Sequence, residues 1–80
     1  MIDIKKLEVG HEVMVEFMPF PFIVKEILEH VMLPHNYTIF YNVIIENIEV
    51  GKKIEVALEE LSFSEKQIRD FKLNKLGIRD

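Results

Sequence analysis

The sequence predicts a mainly β domain that ends in an α-helix, and three observations support this fold class. Residues 37–45, Y-T-I-F-Y-N-V-I-I, are dense in β-branched and aromatic side chains and predict the central strand of a small sheet. Residues 11–17 and 54–58 alternate apolar and polar side chains with the two-residue period of half-buried strands. Ser64, followed three residues later by Gln67, has the spacing of a capping box and predicts the start of a helix.

The first strand is predicted to direct Val13, Val15 and Phe17 to one side and to end at M-P-F-P-F. Pro19 and Pro21 favour a turn there, because proline has no N–H to donate to a sheet. The following residues, 22–33, have two interpretations. Their apolar side chains form a helical stripe, which predicts an α+β fold with a helix at 21–33 packed on a small antiparallel sheet. The same residues also alternate as a strand.

The odd positions of the central strand are predicted to share one face and the even positions the other. The even face is apolar only at Phe40 and Ile44, and the C-terminal helix is predicted to cover these two side chains with Ile68 and Phe71. A hairpin tip is predicted at Gly51-Lys52. After the strand at 54–58, Glu59-Glu60-Leu61 is predicted to form a short helical turn that brings Leu61 under the sheet.

Four stretches in this order, V-M-V-E-F, F-I-V-K-E-I, Y-T-I-F-Y-N-V and I-E-V-A-L-E-E-L, resemble the strands of small SH3-like barrels. The resemblance is to the phage-encoded and prophage-encoded type and covers residues 9–61. It favours the strand interpretation of 22–33 and implies a barrel of about five strands at 1–61, with an added helix at 62–80 in the same domain. Pro21-Phe22 in place of a glycine, and the added helix, depart from the family pattern.

The bulk composition is that of one small domain, since the chain has 80 residues. Its hydrophobic fraction of 49% exceeds what so small a core can enclose, which predicts apolar side chains on the surface or in an interface. The absence of cysteine excludes disulfides and thiolate chemistry and fits a reducing compartment. No apolar run is long enough to span a membrane and no signal peptide is recognisable, so a cytoplasmic location is expected.

Charge is divided unevenly along the chain. Residues 1–61 hold five lysines and eleven acidic residues, whereas residues 62–80 hold five basic and three acidic residues. Because phosphate binding requires a positive surface, nucleic acid is not expected on the acidic body. The residues that could make a weak nucleic-acid contact are Lys66, Arg69, Lys72 and Lys75.

The sequence predicts no catalytic residue, no metal site and no cofactor. His11, His30 and His35 do not follow a metal-ligand spacing and are predicted to be solvent-exposed. The glutamates at 46, 49, 59 and 60 are predicted to form a solvated acidic face, because an 80-residue domain has little room for a catalytic cleft. The protein is therefore predicted not to be an enzyme.

An aromatic cluster around the two prolines is the predicted partner-binding site. Its members are Phe17, Met18, Phe20 and Phe22. Exposed aromatic and methionine side chains anchor protein partners, whereas the competing interpretation is that these rings close one end of a small barrel. The resulting hypothesis is a non-enzymatic binding protein of the phage or prophage accessory type that the resemblance implies. Its partner would be another protein or a second copy of the same chain. The alternative is a barrel that binds or mimics nucleic acid.

Overall fold

The computed structural model describes residues 2–32 and 38–75, which form one five-stranded antiparallel sheet in the order β4-β3-β2-β1-β5. The mainly β prediction with a C-terminal helix is confirmed. Short 3-10 turns cover Ile4–Lys6 and Leu58–Glu60. The elements are β1 (Glu12–Val15), β2 (Pro21–Met32), β3 (Thr38–Asn47), β4 (Lys52–Ala57), β5 (Leu61–Phe63) and α1 (Glu65–Lys75).

The segment with two interpretations is a strand. β2 pairs with β3 along its length, from Ile23 opposite Glu46 to Met32 opposite Thr38, and a bulge at Lys25 interrupts the register. The predicted alternative with a helix at 21–33 is wrong. The helical stripe is misleading because this strand carries apolar residues on both sides: Val24 is fully buried in the core, whereas Ile23 is half-buried and lines a surface groove.

The sheet is open. β4 pairs only with β3 and β5 pairs only with β1, so within residues 2–32 and 38–75 no strand pairing joins the two edges. β2 connects the two halves, because its first residues pair with β1 and the rest pair with β3.

The core lies on one side of the sheet, as the alternation predicted for β3. Val43 and Ile45 have no exposed surface. The short helical turn predicted at 59–61 covers Leu58–Glu60, and Leu61, the first residue of β5, is 2% exposed. These positions confirm the inward face of β3 and the burial of Leu61. The buried apolar residues are Ile2, Leu7, Val13, Val15, Phe22, Val24, Val43, Ile45, Leu58 and Leu61.

The helix α1 begins where the sequence predicts, but it packs elsewhere. The Ser64 hydroxyl accepts a hydrogen bond from the Gln67 N–H at 3.1 Å, which is the N-cap. Gln67 does not complete the predicted capping box, because its Oε1 accepts instead from the Glu12 N–H of β1 at 2.9 Å. Phe71 then stacks edge-on against Phe63, with ring centroids 4.8 Å apart.

The predicted cover of Phe40 and Ile44 by α1 is wrong. Because Ser64 directly follows β5, the helix starts at the β1–β5 edge and contacts β1. The Phe40 ring is stacked on His30 of β2 instead, with centroids 5.0 Å apart and planes 20° from parallel. Ile44 stays half-buried opposite Glu26 and Glu55.

The far part of the β2–β3 pair extends beyond the other strands. β4 pairs with β3 only over residues 42–47, and β1 pairs with β2 only over residues 21–23. Residues 29–32 and 38–41 therefore form a two-stranded ribbon, named here the ribbon. Between the two strands of the ribbon, the sequence Pro34-His35-Asn36 predicts a turn, and these residues lie outside the described ones.

Candidate protein-interaction site

Two loops meet at the end of the sheet opposite the ribbon. β2 begins where β3 ends, since Ile23 lies opposite Glu46. The connection that precedes β2, residues 16–20, therefore lies beside the connection that follows β3, residues 48–51. Both connections carry apolar side chains, and this juxtaposition forms the candidate site.

The turn at 48–51 is built around Asn47 and Gly51. The Gly51 N–H donates to the Asn47 carbonyl at 2.7 Å, and the Glu49 N–H donates to the Asn47 Oδ1 at 3.0 Å. Gly51 has φ of +69°, a conformation that glycine adopts without steric cost. The predicted hairpin is present, but its tip lies at residues 48–51 rather than at Gly51-Lys52, because Lys52 already pairs with Asn47 as the first residue of β4. The turn holds Ile48 and Val50 outward, 68% and 72% exposed.

Within the loop at 16–20, the chain turns away from the direction of β1 at Phe17. The prediction that Phe17 continues the inward face of the first strand is wrong, because β1 ends at Val15 and Phe17 has φ of +68°. The Met18 N–H donates to the Val15 carbonyl at 3.0 Å, which closes a tight turn around Phe17. The Phe17 side chain is 96% exposed as a result.

The two loops together present one apolar surface, named here the loop patch. Phe20 is 41% exposed and lines two grooves of about 270 and 160 Å³. Residues from both loops line these grooves. The loop patch consists of Phe17, Met18, Phe20, Ile48 and Val50, which are between 39% and 96% exposed.

The fourth predicted partner-binding residue, Phe22, does not belong to the accessible surface. It is 4% exposed because it lies on β2 opposite Val13 and points into the core. Its ring touches the base of the loop patch, with its centroid 5.3 Å from that of Phe20. Phe22 therefore packs in the core and supports Phe20, whereas Phe17, Met18 and Phe20 are exposed. The rings do not close the end of a barrel, because the sheet is open.

Carboxylates dominate the rim of the loop patch. Glu12 and Glu49 line the larger groove, and Lys52 lines the smaller one. Glu16 is exposed beside Phe17, and its N–H donates to the Glu60 carbonyl at 2.9 Å, which places a further exposed acid near the loop. The apolar surface is thus surrounded by more negative than positive charge.

The predicted weak nucleic-acid contacts lie on α1. Lys66, Arg69 and Lys72 are exposed, whereas the side chain of Lys75 lies outside the described residues. Among the described residues, Lys25 and Glu46 form an ion pair at 3.3 Å, and the His11 Nε2 lies 3.8 Å from a Glu8 carboxylate oxygen, so neither contact involves α1.

The histidines do not lie where they were predicted. His11 is half-buried between Phe63 and Phe71, and its Nδ1 accepts from the Glu8 N–H at 3.1 Å. The Nε2 atom of His30 is buried and has no hydrogen-bond partner. The prediction of solvent-exposed histidines is wrong for these two, because each ring stacks on an aromatic neighbour, and His35 lies outside the described residues.

Within the described residues, no three acidic or histidine side chains come close enough together to hold a metal ion. In the same part of the chain, no helix has the length and hydrophobicity needed to cross a bilayer.

Sequence reasoning missed Ile48 and Val50. The signal was present in N-I-E-V-G, where apolar residues stand inside a glycine turn rather than in the adjoining strands. An apolar side chain in a tight surface turn has no core within reach, so its exposure follows from the turn itself.

Comparison with models of protein families, with curated proteins and with solved structures gave no significant match to this chain.

Proposed function

We propose that this protein is a non-enzymatic binding protein whose loop patch docks onto another protein surface. The observation on which this proposal depends is Phe17, a large apolar residue that is 96% exposed and has a positive backbone φ. A bulky residue at positive φ is uncommon and costs energy, and strained residues concentrate at ligand-binding sites. Neither the strain nor the exposure contributes to folding of the described domain.

The composition of the loop patch also supports binding. Exposed apolar residues scattered singly are ordinary on a protein surface, but a contiguous group with a polar rim marks an interaction site. Here Met18, Phe20, Ile48 and Val50 from two adjacent loops line two grooves that share Phe20, and Phe17 precedes Met18 in the chain. Glu12 and Glu49 line the larger of these grooves. Phenylalanine and methionine in this position match the composition of the central part of protein interfaces.

We also propose that the fold is a variant of the SH3-like architecture of the phage-encoded or prophage-encoded type. Two features of the fold support it. The strands occur in the chain order of the resemblance, and Leu58–Glu60 form the short helical turn expected from its E-E-L element. The open edge between β4 and β5 and the packed helix α1 are the particular features of this chain.

Quantitative affinity capture from the native host tests the function. The bait is the full chain, compared with Phe17→Asn, which keeps a residue that tolerates positive φ but removes the ring. A partner should be enriched on the wild type and lost from Phe17→Asn. Its purified complex should then weaken by roughly tenfold or more in the variant, the effect expected for a central anchor.

Val9→Asn is the matched control, since Val9 is also an exposed apolar residue, 62% exposed, but does not belong to the loop patch. It should retain the partner. Equal capture by wild type and Phe17→Asn, with equal dissociation constants for the purified complexes, would show that the loop patch is not the docking site.

A further inference from the structure

We propose that the outer edge of β2 pairs with the same edge of a second copy, in an antiparallel contact centred on His30. This surface is separate from the loop patch, and its occupant is a second copy of the chain. Three features of β2 favour the contact: backbone groups that lack a partner strand, the isolation of the ribbon, and side chains that fit when the strand faces a copy of itself.

The outer edge of β2 is occupied as far as Val24. The Val24 N–H donates to the His11 carbonyl at 3.0 Å, and the Val24 carbonyl accepts from the Gly10 N–H at 2.9 Å. Farther along β2, no strand of the described part of the chain pairs with this edge, because β1 pairs only with residues 21–23. The edge beside residues 25–32, named here the vacant edge, therefore has room for one more strand.

The alternation of an antiparallel pair shows which backbone groups face the vacant edge. Because the backbone groups of Val24 point outward, Val24 and Ile45 form a pair that exchanges no hydrogen bonds. Every second pair after it, counted along β3, is of the same kind. The β2 residues of these later pairs are Ile27, Glu29 and Val31. Their N–H and C=O groups point to the vacant edge, and such groups are a template for another strand.

The ribbon is the part of the sheet that a further strand would stabilise most. It has two strands, and a two-stranded hairpin by itself is marginally stable in water, whereas three or more strands with an apolar face are stable. Val31 and Ile39 lie opposite each other in the ribbon and are 44% and 41% exposed. Pairing of two copies along β2 would make this region four-stranded.

Two registers of the self-pairing are unfavourable. A two-fold axis at Glu29 would set the Glu29 carboxylates of the two copies directly opposite each other, and like charges in this position destabilise a sheet. An axis at Leu28 would bring residue 32 of one copy opposite Val24 of the other. That position is already occupied by His11 of the same chain.

An axis at His30 avoids both conflicts. It pairs Glu29 of each copy with Val31 of the other, so that their outward N–H and C=O groups can bond across the axis. It also sets the two imidazole rings directly opposite each other. The His30 Nε2 is buried without a hydrogen-bond partner, which costs free energy, and the second imidazole would offer this ring a donor or an acceptor. Because both copies use the same surface, the contact is isologous and ends at a dimer.

Disulfide trapping tests the contact and its register. The chain has no cysteine, so His30→Cys supplies a single thiol. Residues opposite each other in a pair without hydrogen bonds have Cα atoms about 4.5 Å apart, within the range that a disulfide spans. Purified His30→Cys should therefore form covalent dimers under mild oxidation.

Leu28→Cys and Glu29→Cys are the matched controls on the same strand. Both should form covalent dimers at least roughly tenfold more slowly, because neither thiol faces its own counterpart in the proposed register. Faster dimer formation by Glu29→Cys would place the axis at that residue and overturn the proposal. Equally slow formation by all three variants would do the same.

Sedimentation velocity over a concentration series tests the role of the backbone. The wild type should dimerise. Glu29→Pro removes an N–H that points to the second copy, not to β3, and an edge of this kind tolerates proline. Its dissociation constant should rise roughly tenfold or more, because each copy in the dimer loses a donor. Glu29→Thr keeps the N–H and should dimerise at least as tightly as the wild type, and circular dichroism checks that both variants are folded.

A variant of the loop patch separates this contact from the proposed function. Phe17→Asn should dimerise like the wild type, and loss of the dimer in this variant would overturn the proposal. A wild type that stays monomeric at every concentration would reject self-pairing and leave the binding function intact. If a captured foreign partner were then lost from Glu29→Pro but retained by Glu29→Thr, the vacant edge would be assigned to a strand of that partner instead.

Discussion

Phe17 combines two unfavourable features, a strained backbone and a fully solvated aromatic ring. Its φ of +68° places a bulky side chain in the left-handed region, which costs roughly 1–2 kcal/mol for a residue other than glycine. Its ring is 96% exposed and recovers none of that energy from packing. A residue of this kind lowers the stability of the free domain in exchange for an anchor at the site.

Phe17→Gly should therefore stabilise the protein while it removes the anchor. The relief of roughly 1–2 kcal/mol is partly offset by the entropy cost of glycine, about 0.5–1 kcal/mol, so the unfolding free energy should rise by about 0.5–1 kcal/mol. Urea denaturation checks this. Phe17→Ala is the control, since it removes the ring and keeps the strain, and its stability should match the wild type. A lower midpoint for Phe17→Gly would show that the ring contributes packing.

At the scale of single elements, β3 shows how the same alternation has different consequences along one strand. Val43 and Ile45 are fully buried because β2 and β4 flank them on both sides and the core covers them. Ile39 has the same face by its position in the alternation, yet it is 41% exposed. It lies in the ribbon, where β2 is the only strand of the described part of the chain that pairs with β3.

Substitution of Ile45 and Ile39 by alanine should separate two effects: the face of β3 on which a residue lies, and its position along the strand. Ile45→Ala should lower the unfolding free energy by about 2–5 kcal/mol, because it leaves a cavity in the packed core. Ile39→Ala should cost less than about 1 kcal/mol, since solvent already reaches the side chain. Thermal or urea unfolding of the two variants gives the comparison. Equal losses would mean that the ribbon is packed against a further surface, such as a second copy.

At the scale of the whole molecule, the body is elongated and the ribbon extends beyond the other strands. The radius of gyration is 14.2 Å, whereas a compact domain of this length has a value of about 12 Å. The principal extents of 49, 32 and 19 Å describe an elongated body. The loop patch lies at the end of the sheet opposite the ribbon, so the two features should be separable.

A shortened chain tests that separation. Residues 30–40 are replaced by Asn-Gly, which joins the cross-strand partners Glu29 and Tyr41 with a two-residue hairpin turn. The radius of gyration from small-angle scattering should fall toward about 12 Å. Stability should decrease by about 1–2 kcal/mol through the lost cross-strand pairs.

Binding at the loop patch should be unchanged in the shortened chain, because no ribbon residue lines either groove. The control is the unshortened chain with His30→Gln, because this variant changes a ribbon residue but keeps the length of the hairpin. Loss of loop-patch binding in the shortened chain alone would show that the ribbon contributes to the site.

Much of the local structure could be predicted from the sequence. Alternation located β1 and β4, the density of β-branched and aromatic side chains located β3, the Ser64 cap located the start of α1, and Gly51 indicated the hairpin between β3 and β4. The candidate site was predicted in part, at Phe17, Met18 and Phe20, because prolines mark the loop that carries them. Each of these signals is local, since it depends on residues a few positions apart.

The tertiary structure alone decided the features that join distant residues. Phe22 and Phe20 look alike in the sequence, but pairing of β2 with β1 buries the first and leaves the second between two grooves. Ile48 and Val50 join the site only because the strand register brings their turn beside the loop at 16–20. Local sequence determines which segments are extended, helical or turned, whereas long-range pairing determines which apolar side chains find cover and which remain for a partner.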